Sequence, residues 1–126
     1  MLPGRRHELI LRTLRGEGSA TISGLAERLG VSHATIRRDL VQLDEEGLLA
    51  SVRRTGRCVV VQEAPRTCGF ASEVAALLAE RAILDLHGPV LRVTGYDVPY
   101  PYWQLEDWYM PSVERVADAV RRVLAF

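Results

Sequence analysis

"LDEEGLLASVRRTGRCVVV", Leu43 to Val61, carries two incompatible backbone patterns. As one helix, Asp44 supplies an N-cap and Glu45 and Glu46 suit the positive first turn. Arg53 and Arg54 then suit the negative last turn, and Gly56 permits the left-handed residue that closes a helix. As a hairpin, a preceding helix stops at Gly47, Leu48 to Val52 form one strand, "RRTGR" turns, and Cys58 to Val61 return antiparallel. "CVVV" is a strand in both cases, a continuous apolar run of the kind buried on both faces. Such a strand needs neighbours, because an unpaired edge leaves backbone N–H and C=O groups without partners. A partner from Leu48 to Val52 covers one edge and "VLRVTG" the other, and this pairing tips the reading toward the hairpin.

On the N-terminal side, Leu9, Ile10 and Leu14 form an apolar stripe at helical spacing, ended by Gly16 and Gly18. Thr21 caps a second helix from Ile22 to Leu29, with Ile22, Leu25, Ala26 and Leu29 on one face, and Gly30 closes it. Ser32 caps a third helix in which Ile36, Leu40 and Leu43 point inward. Two short helices joined by a tight Gly-containing turn are a helix-turn-helix. The outer face of the third helix starts with His33, Thr35, Arg37 and Arg38. An isolated Arg-Arg pair is ordinarily a solvated one, here balanced by Asp39 and Glu45. In this frame the pair sits where recognition helices present residues to guanine edges and phosphates.

"TISGLAERLGVSHATIRRDLVQLDEEGLL" resembles the DNA-binding domain of the DeoR family of bacterial repressors, over about Arg5 to Leu49. The "VSHATIRRDL" core, Val31 to Leu40, is its most specific part. The resemblance implies DNA contact by Ser32, His33, Thr35, Arg37 and Arg38, and in the hairpin reading Arg53 and Arg54 join them from the wing. Two departures stand out. The wing reads "SVRRTGR" where the family carries an Arg-His-Gly-Gly-like turn, and no sugar-phosphate-sensing domain follows.

On the C-terminal side, "APRTCGF" reads as a loop and Ser72 as the N-cap of a helix with Val74, Leu77, Leu78 and Ala82 on its apolar face. His87-Gly88-Pro89 breaks it, "VLRVTG" is a second strand, and "YDVPYPYW" is an extended loop. Ser112 starts a last helix with an apolar stripe of Val113, Val116, Val120, Val123 and Leu124. This order is an α/β pattern with a parallel strand pair. "EAPRTCGFASEVAA", "PVLRVTGYDVPYPY" and "YMPSVERVADAV" are similar to the C-terminal domain of the β subunit of thiamine-diphosphate 2-oxo-acid dehydrogenases, from about Leu43 to Phe126. In that family "LDEEGLLASVRRTGR" is the helix before the buried strand. The resemblance covers only the last part of the domain. A preceding strand-helix-strand, the pyrimidine-binding domain and the pyrophosphate site have no counterpart, which excludes the family's reaction and its cofactor. The region serves those enzymes in subunit contact and in docking the acyltransferase core.

The bulk properties set further bounds. The 126 residues make one ordinary domain or two small ones. No apolar run approaches the ~20 residues that span a bilayer, and no secretory h-region follows Arg5 and Arg6. Cys58 and Cys68 lack metal or disulfide spacing, which points to reduced thiols and a cytoplasmic setting. Every basic residue is Arg, which reads as base composition before function. Residues 1–57 carry ten Arg against seven acids and residues 58–126 six against nine, so the front suits a polyanion. Seven of the eight aromatics, from Tyr96 to Phe126, lie at the back. No P-loop, GxGxxG or GxSxG occurs, and His7, His33 and His87 lack a triad. Asp97 reads as a loop cap.

The expected architecture is therefore α+β, a winged helix-turn-helix over residues 1–57 and a partial α/β, transketolase C-terminal-like segment over residues 58–126. The expected function is a DeoR-type, DNA-binding transcriptional regulator without catalytic residues, metal or cofactor. Its partners are double-stranded DNA and a second copy, the homodimer forming through the C-terminal half and its aromatic cluster. Two alternatives stay open. One is a non-catalytic fragment or assembly module of a 2-oxo-acid dehydrogenase β subunit, with dehydrogenase subunits as partners. The other is a chimera without an evolved role.

Overall fold

A computed structural model describes every residue from Met1 to Phe126. The chain forms two compact units, Met1–Leu48 and Leu49–Phe126. The sequence places its boundary at residue 57, whereas this division falls inside a helix.

The first unit is helical. Helix α1 spans Pro3–Glu17 and starts on a proline, whose missing N–H would have no partner there. It closes on Gly18 at φ 75°. Helix α2 spans Ile22–Leu29. Thr21 accepts a hydrogen bond from the Gly24 amide at 3.0 Å, and Gly30 at φ 64° ends the helix. Helix α3 starts at His33, capped by Ser32, whose hydroxyl oxygen accepts from the Thr35 amide at 3.2 Å. Ile10, Leu25, Ala26 and Ile36 are buried together, with Leu14, Ile22, Leu29, Val31, Leu40 and Leu43 packed around them. Apart from Val31 in the turn, these are apolar positions that the helical spacing selects; Leu9, also selected, lies outside the cluster.

The unit also buries an ion cluster that the spacing does not announce. Asp39 sits under α1, where the Arg6 guanidinium donates to both carboxylate oxygens, Nη2 to Oδ1 at 2.9 Å. His7 Nε2 lies 3.1 Å from the same Oδ1. All three residues are buried. The Arg6 hydrogen bonds hold the Asp39 carboxyl below the usual carboxylate range, against the opposing effect of burial.

The wing does not form. Helix α3 runs unbroken from His33 to Thr55, through Gly47 and through the residues expected as a strand, Leu48 to Val52. The physical reason has two parts. Glycine inside a helix costs only about 1 kcal/mol relative to alanine, too little to end a helix that buries Leu49 and Val52 further on. The following strand, moreover, takes its partner from elsewhere. Asp44, expected as an N-cap in the helical reading, is interior to α3. The stop comes at Gly56, at φ 69°. Its amide donates to Val52 O at 2.6 Å, and its carbonyl accepts from the His87 amide at 2.7 Å. A Cβ there would lie 2.4 Å from His87 Nδ1, so glycine is required for space as well as for φ.

In the second unit, strand β1 (Val59–Pro65) pairs in parallel with β2 (Leu91–Gly95), Val59 opposite Leu91 and Val61 opposite Val93, with a register shift before Pro65. Helix α4 (Phe70–Arg81) makes the crossover and packs on β1. A short helix α5 (Glu106–Tyr109) follows the Tyr96–Trp103 segment expected as loop, and α6 (Val113–Leu124) packs on both strands. Ala71, Leu78, Ala82, Val93, Tyr109, Ala119 and Val123 are the buried apolar residues of this layer. Two expectations need correcting. β1 is half-buried rather than covered on both faces, because the sheet has two strands and Val61 remains 49% exposed. Ser72 does not cap α4, which starts earlier at Phe70. The Gln62 side chain does the capping from β1, its Oε1 accepting from the Ala71 amide at 2.7 Å. Ser112 does cap α6, accepting from the Arg115 amide at 3.2 Å.

Two outcomes follow from this geometry. Gly47 has nothing within 4 Å of where a Cβ would stand, so Gly47→Ala should raise stability by about 0.5–1 kcal/mol in urea unfolding. A left-handed helix stop at Gly47, as the hairpin reading requires, would instead make the change destabilising. Asp39, with its folded pKa depressed, adds stability above its unfolded value of about 3.9 and loses it as pH falls through the lower folded value. Urea titrations across that acid range should show this loss, and Asp39→Asn should be less stable near neutrality and lack that part of the pH dependence.

Candidate functional site

The residues expected to touch DNA fall into two groups. Ser32, His33, Thr35, Arg37 and Arg38 belong to the first unit, and Arg53 and Arg54 to the second. Ser32 and Thr35 are engaged in the cap, their hydroxyls 2.9 Å apart. His33, Arg37 and Arg38 are exposed. Arg53 pairs with Asp85 at 3.4 Å and donates to Arg81 O at 3.3 Å, on the second unit's own surface. Arg54 is exposed.

The most constructed part of the second unit lies at the C-terminal ends of β1 and β2, where α/β sheets present their ligand-facing loops. β2 ends on Gly95, whose missing side chain admits Tyr109. A Cβ there would lie 2.5 Å from both Glu63 O and the Tyr109 ring. Tyr109 is 1% exposed. Tyr96 stacks on Trp108 with ring centroids 4.6 Å apart and meets Tyr109 edge-on at 6.4 Å, and Tyr100 meets Tyr109 edge-on at 5.0 Å. Arg115 reaches back from α6, donates to Thr94 O at 2.6 Å and lies 4.8 Å from the Tyr96 ring centroid. The aromatic cluster thus packs largely on its own unit, while Tyr102 and Trp103 stand 91% and 78% exposed.

The neighbouring loop is held by polar side chains across long sequence separations. Asp97 accepts from the Thr67 amide at 2.8 Å and from its hydroxyl at 2.6 Å, the loop cap that the sequence indicates. The Thr67 hydrogen bonds also lower the Asp97 pKa. Arg92 donates to Ser72 Oγ at 2.8 Å and to Arg66 O at 3.1 Å. Neither the Gln62 cap nor the Arg92 and Arg115 anchors follow from any spacing in the sequence. Burial raises the Cys58 thiol pKa, which disfavours its thiolate. No group of three or more His, Cys, Asp or Glu is placed to hold a metal ion. No helix is long and apolar enough to cross a membrane. This arrangement fixes loops and presents surface.

Residues 25–116 match the family described as Transketolase, C-terminal domain. The chain belongs to the transketolase C-terminal domain family. The match of this transketolase C-terminal domain starts inside α2, at Leu25, and takes in the first turns of α3, the segment read as a recognition helix. Its relatives are dehydrogenase subunits. It is 46% identical over 89 residues to the pyruvate dehydrogenase E1 component subunit beta of Leifsonia xyli subsp. xyli, covering 71% of this chain and 26% of the relative. It is 48% identical over 88 residues to the 2-oxoisovalerate dehydrogenase subunit beta of Pseudomonas aeruginosa, 69% of this chain and 25% of the relative. It is 45% identical over 87 residues to the 3-methyl-2-oxobutanoate dehydrogenase subunit beta of Mycobacterium tuberculosis, again 69% and 25%. The chain spans about a quarter of the length of the curated relatives it matches. These findings overturn the reading as a DeoR-type, DNA-binding transcriptional regulator. The family match covers the second part of α2 and the whole of α3, the helix on which that reading rested, and the wing it required is helix.

The close approach at Gly95 gives a test of this site. Gly95→Ala should destabilise the second unit by about 1–3 kcal/mol, because backbone at Glu63 and a buried Tyr109 ring both block the new methyl group. Near-ultraviolet circular dichroism should report the displaced tyrosines. An unchanged melt and spectrum would refute the tight junction.

Proposed function

We propose that the chain is a non-catalytic assembly module related to the β subunits of 2-oxo-acid dehydrogenases, and that it contributes subunit contact rather than chemistry. The observation that carries this reading is the 45–48% identity to those β subunits, confined to about a quarter of their length. The geometry supports it. Parallel sheets in α/β proteins are ordinarily covered on both faces, and this one has two strands, an exposed Val61 and open edges. Phe70, Leu84, Tyr102 and Trp103 are each more than 70% exposed. Aromatic side chains at the centre of a buried patch carry much of the energy of protein interfaces. The residues that anchor the loops, Gln62, Asp97, Arg92 and Arg115, hold this surface in shape, and each is committed to that task by its hydrogen bonds. In this reading the partners are dehydrogenase subunits.

Immobilised full-length chain should bind the co-expressed subunits of the Pseudomonas aeruginosa 2-oxoisovalerate dehydrogenase in biosensor titrations. A Tyr102→Ala, Trp103→Ala double variant with an unchanged circular dichroism spectrum should bind at least about tenfold more weakly. Absence of binding by the folded chain would refute the proposal.

A further inference from the structure

Helix α6 is apolar on more than the face its own sheet covers. Ala119 and Val123 are buried and Val116 is half-buried. Val113, Val120 and Leu124 are instead 81%, 40% and 62% exposed, with half-buried Ala117 between them. At 100° per residue, positions 113, 117, 120 and 124 fall on one stripe, turned away from the positions that face the strands. A second apolar stripe on a helix is the signature of a second partner.

The charges beside this stripe indicate which partner. Glu114 and Arg121 are seven residues apart, so they lie on the same flank, one near each end of the helix. Both are exposed. Glu114 also accepts hydrogen bonds from its own amide and from Ser112, which lower its pKa and keep it charged near the helix N-terminus. In a parallel pair each flank faces the opposite flank of the partner, so Glu114 and Arg121, which share one flank, would not meet. An antiparallel copy places Glu114 of each chain against Arg121 of the other, twice, by two-fold symmetry. The next flank repeats the order, Asp118 before Arg122, and there the two pair within the helix at 3.9 Å.

We infer that the outward face of α6 is a self-association surface. A second copy lays its own α6 across it antiparallel, Val113, Ala117, Val120 and Leu124 forming the seam and Glu114 of each copy facing Arg121 of the other. The helix is 12 residues long, about 18 Å. A seam of that length is at or below the lower size limit of specific interfaces, so the dimer is a micromolar one. The seam uses neither Tyr102 nor Trp103, so the inference stands whether or not dehydrogenase subunits bind through those residues.

Sedimentation equilibrium on the full chain at micromolar concentrations tests the inference. Wild type should show a monomer–dimer equilibrium. Leu124→Glu should weaken it at least about tenfold. Glu114→Arg alone and Arg121→Glu alone should each weaken it, because each gives like charges across the seam. An equimolar mixture of these two variants should recover association, since one copy then carries two arginines and the other two glutamates. A variant that merely fails to fold cannot be rescued by mixing, which separates loss of contact from loss of structure. A monomeric wild type overturns the inference. So does a dimer indifferent to Leu124→Glu, and so does a mixture of the charge variants that stays monomeric.

Discussion

Strand β1 has a single hydrogen-bonding neighbour, β2, and the pairing is parallel. Parallel neighbours cannot be joined by a tight turn. They need a crossover of a dozen or more residues, which here is α4. This constraint organises the second unit. Because α4 must turn back onto the sheet immediately after β1, its first residues crowd the strand end. A Cβ at Gly69 would lie 2.2 Å from Gln62 Nε2 and 2.4 Å from Pro65 O, so only glycine fits. The same closeness lets Gln62 reach across and cap the helix at Ala71. At the end of β2 the chain meets the Glu63 carbonyl and the Tyr109 ring, and again glycine is required, at Gly95. Two glycines and one glutamine therefore follow from the direction of one strand pair.

The pairing also explains why the stretch after α3 is not a hairpin. An antiparallel Leu48–Val52 strand would have competed with the helix for the same backbone groups. With β2 on one side of β1, the remaining gain from a second ladder was one edge, whereas continuing α3 to Thr55 keeps every i to i−4 hydrogen bond through Gly47 and buries Leu49 and Val52. The consequence is an edge of β1 left open and apolar side chains left in water. Each compact unit is small, and small units bury a lesser share of their surface. The first unit adds the Arg6–Asp39–His7 cluster to its core, which ties α1 to α3 through a residue pair far apart in sequence.

Much of the fold was legible because its signals are local. The Thr21, Ser32 and Ser112 caps, the Gly30 stop, the second strand and the apolar faces of α1, α2 and α4 are written within a few residues of where they act, whereas of the α6 stripe Val113, Val120 and Leu124 are exposed. What was not legible depends on residues meeting from a distance. Asp39 looks like a solvated acid beside Arg37 and Arg38, and only tertiary packing shows that it belongs to Arg6 and His7. The Gln62 cap and the anchors from Arg92 to Arg66 and from Arg115 to Thr94 have the same origin. The continuity of α3 departs from the hairpin pattern for the opposite reason. Gly47 is a strong local signal with a small energy, and the tertiary environment outweighed it.

The error about function has a related cause. In "VSHATIRRDL", Val31 to Leu40, most residues are occupied by the fold itself. Ser32 and Thr35 form the cap, Ile36 is fully buried, Val31 and Leu40 line the same core, and Asp39 is held in the buried ion cluster. Besides the capping Ser32, the exposed residues are His33, Ala34, Arg37 and Arg38. A motif built mainly from cap and core positions identifies a way of packing helices, and a way of packing helices does not name an activity. The segments from Glu63 onward are different in kind. Gly69, Gly95, Asp97 and Arg115 are each required by a contact specific to this sheet and its loops. The match to the transketolase C-terminal domain, residues 25–116, spans all four of these positions.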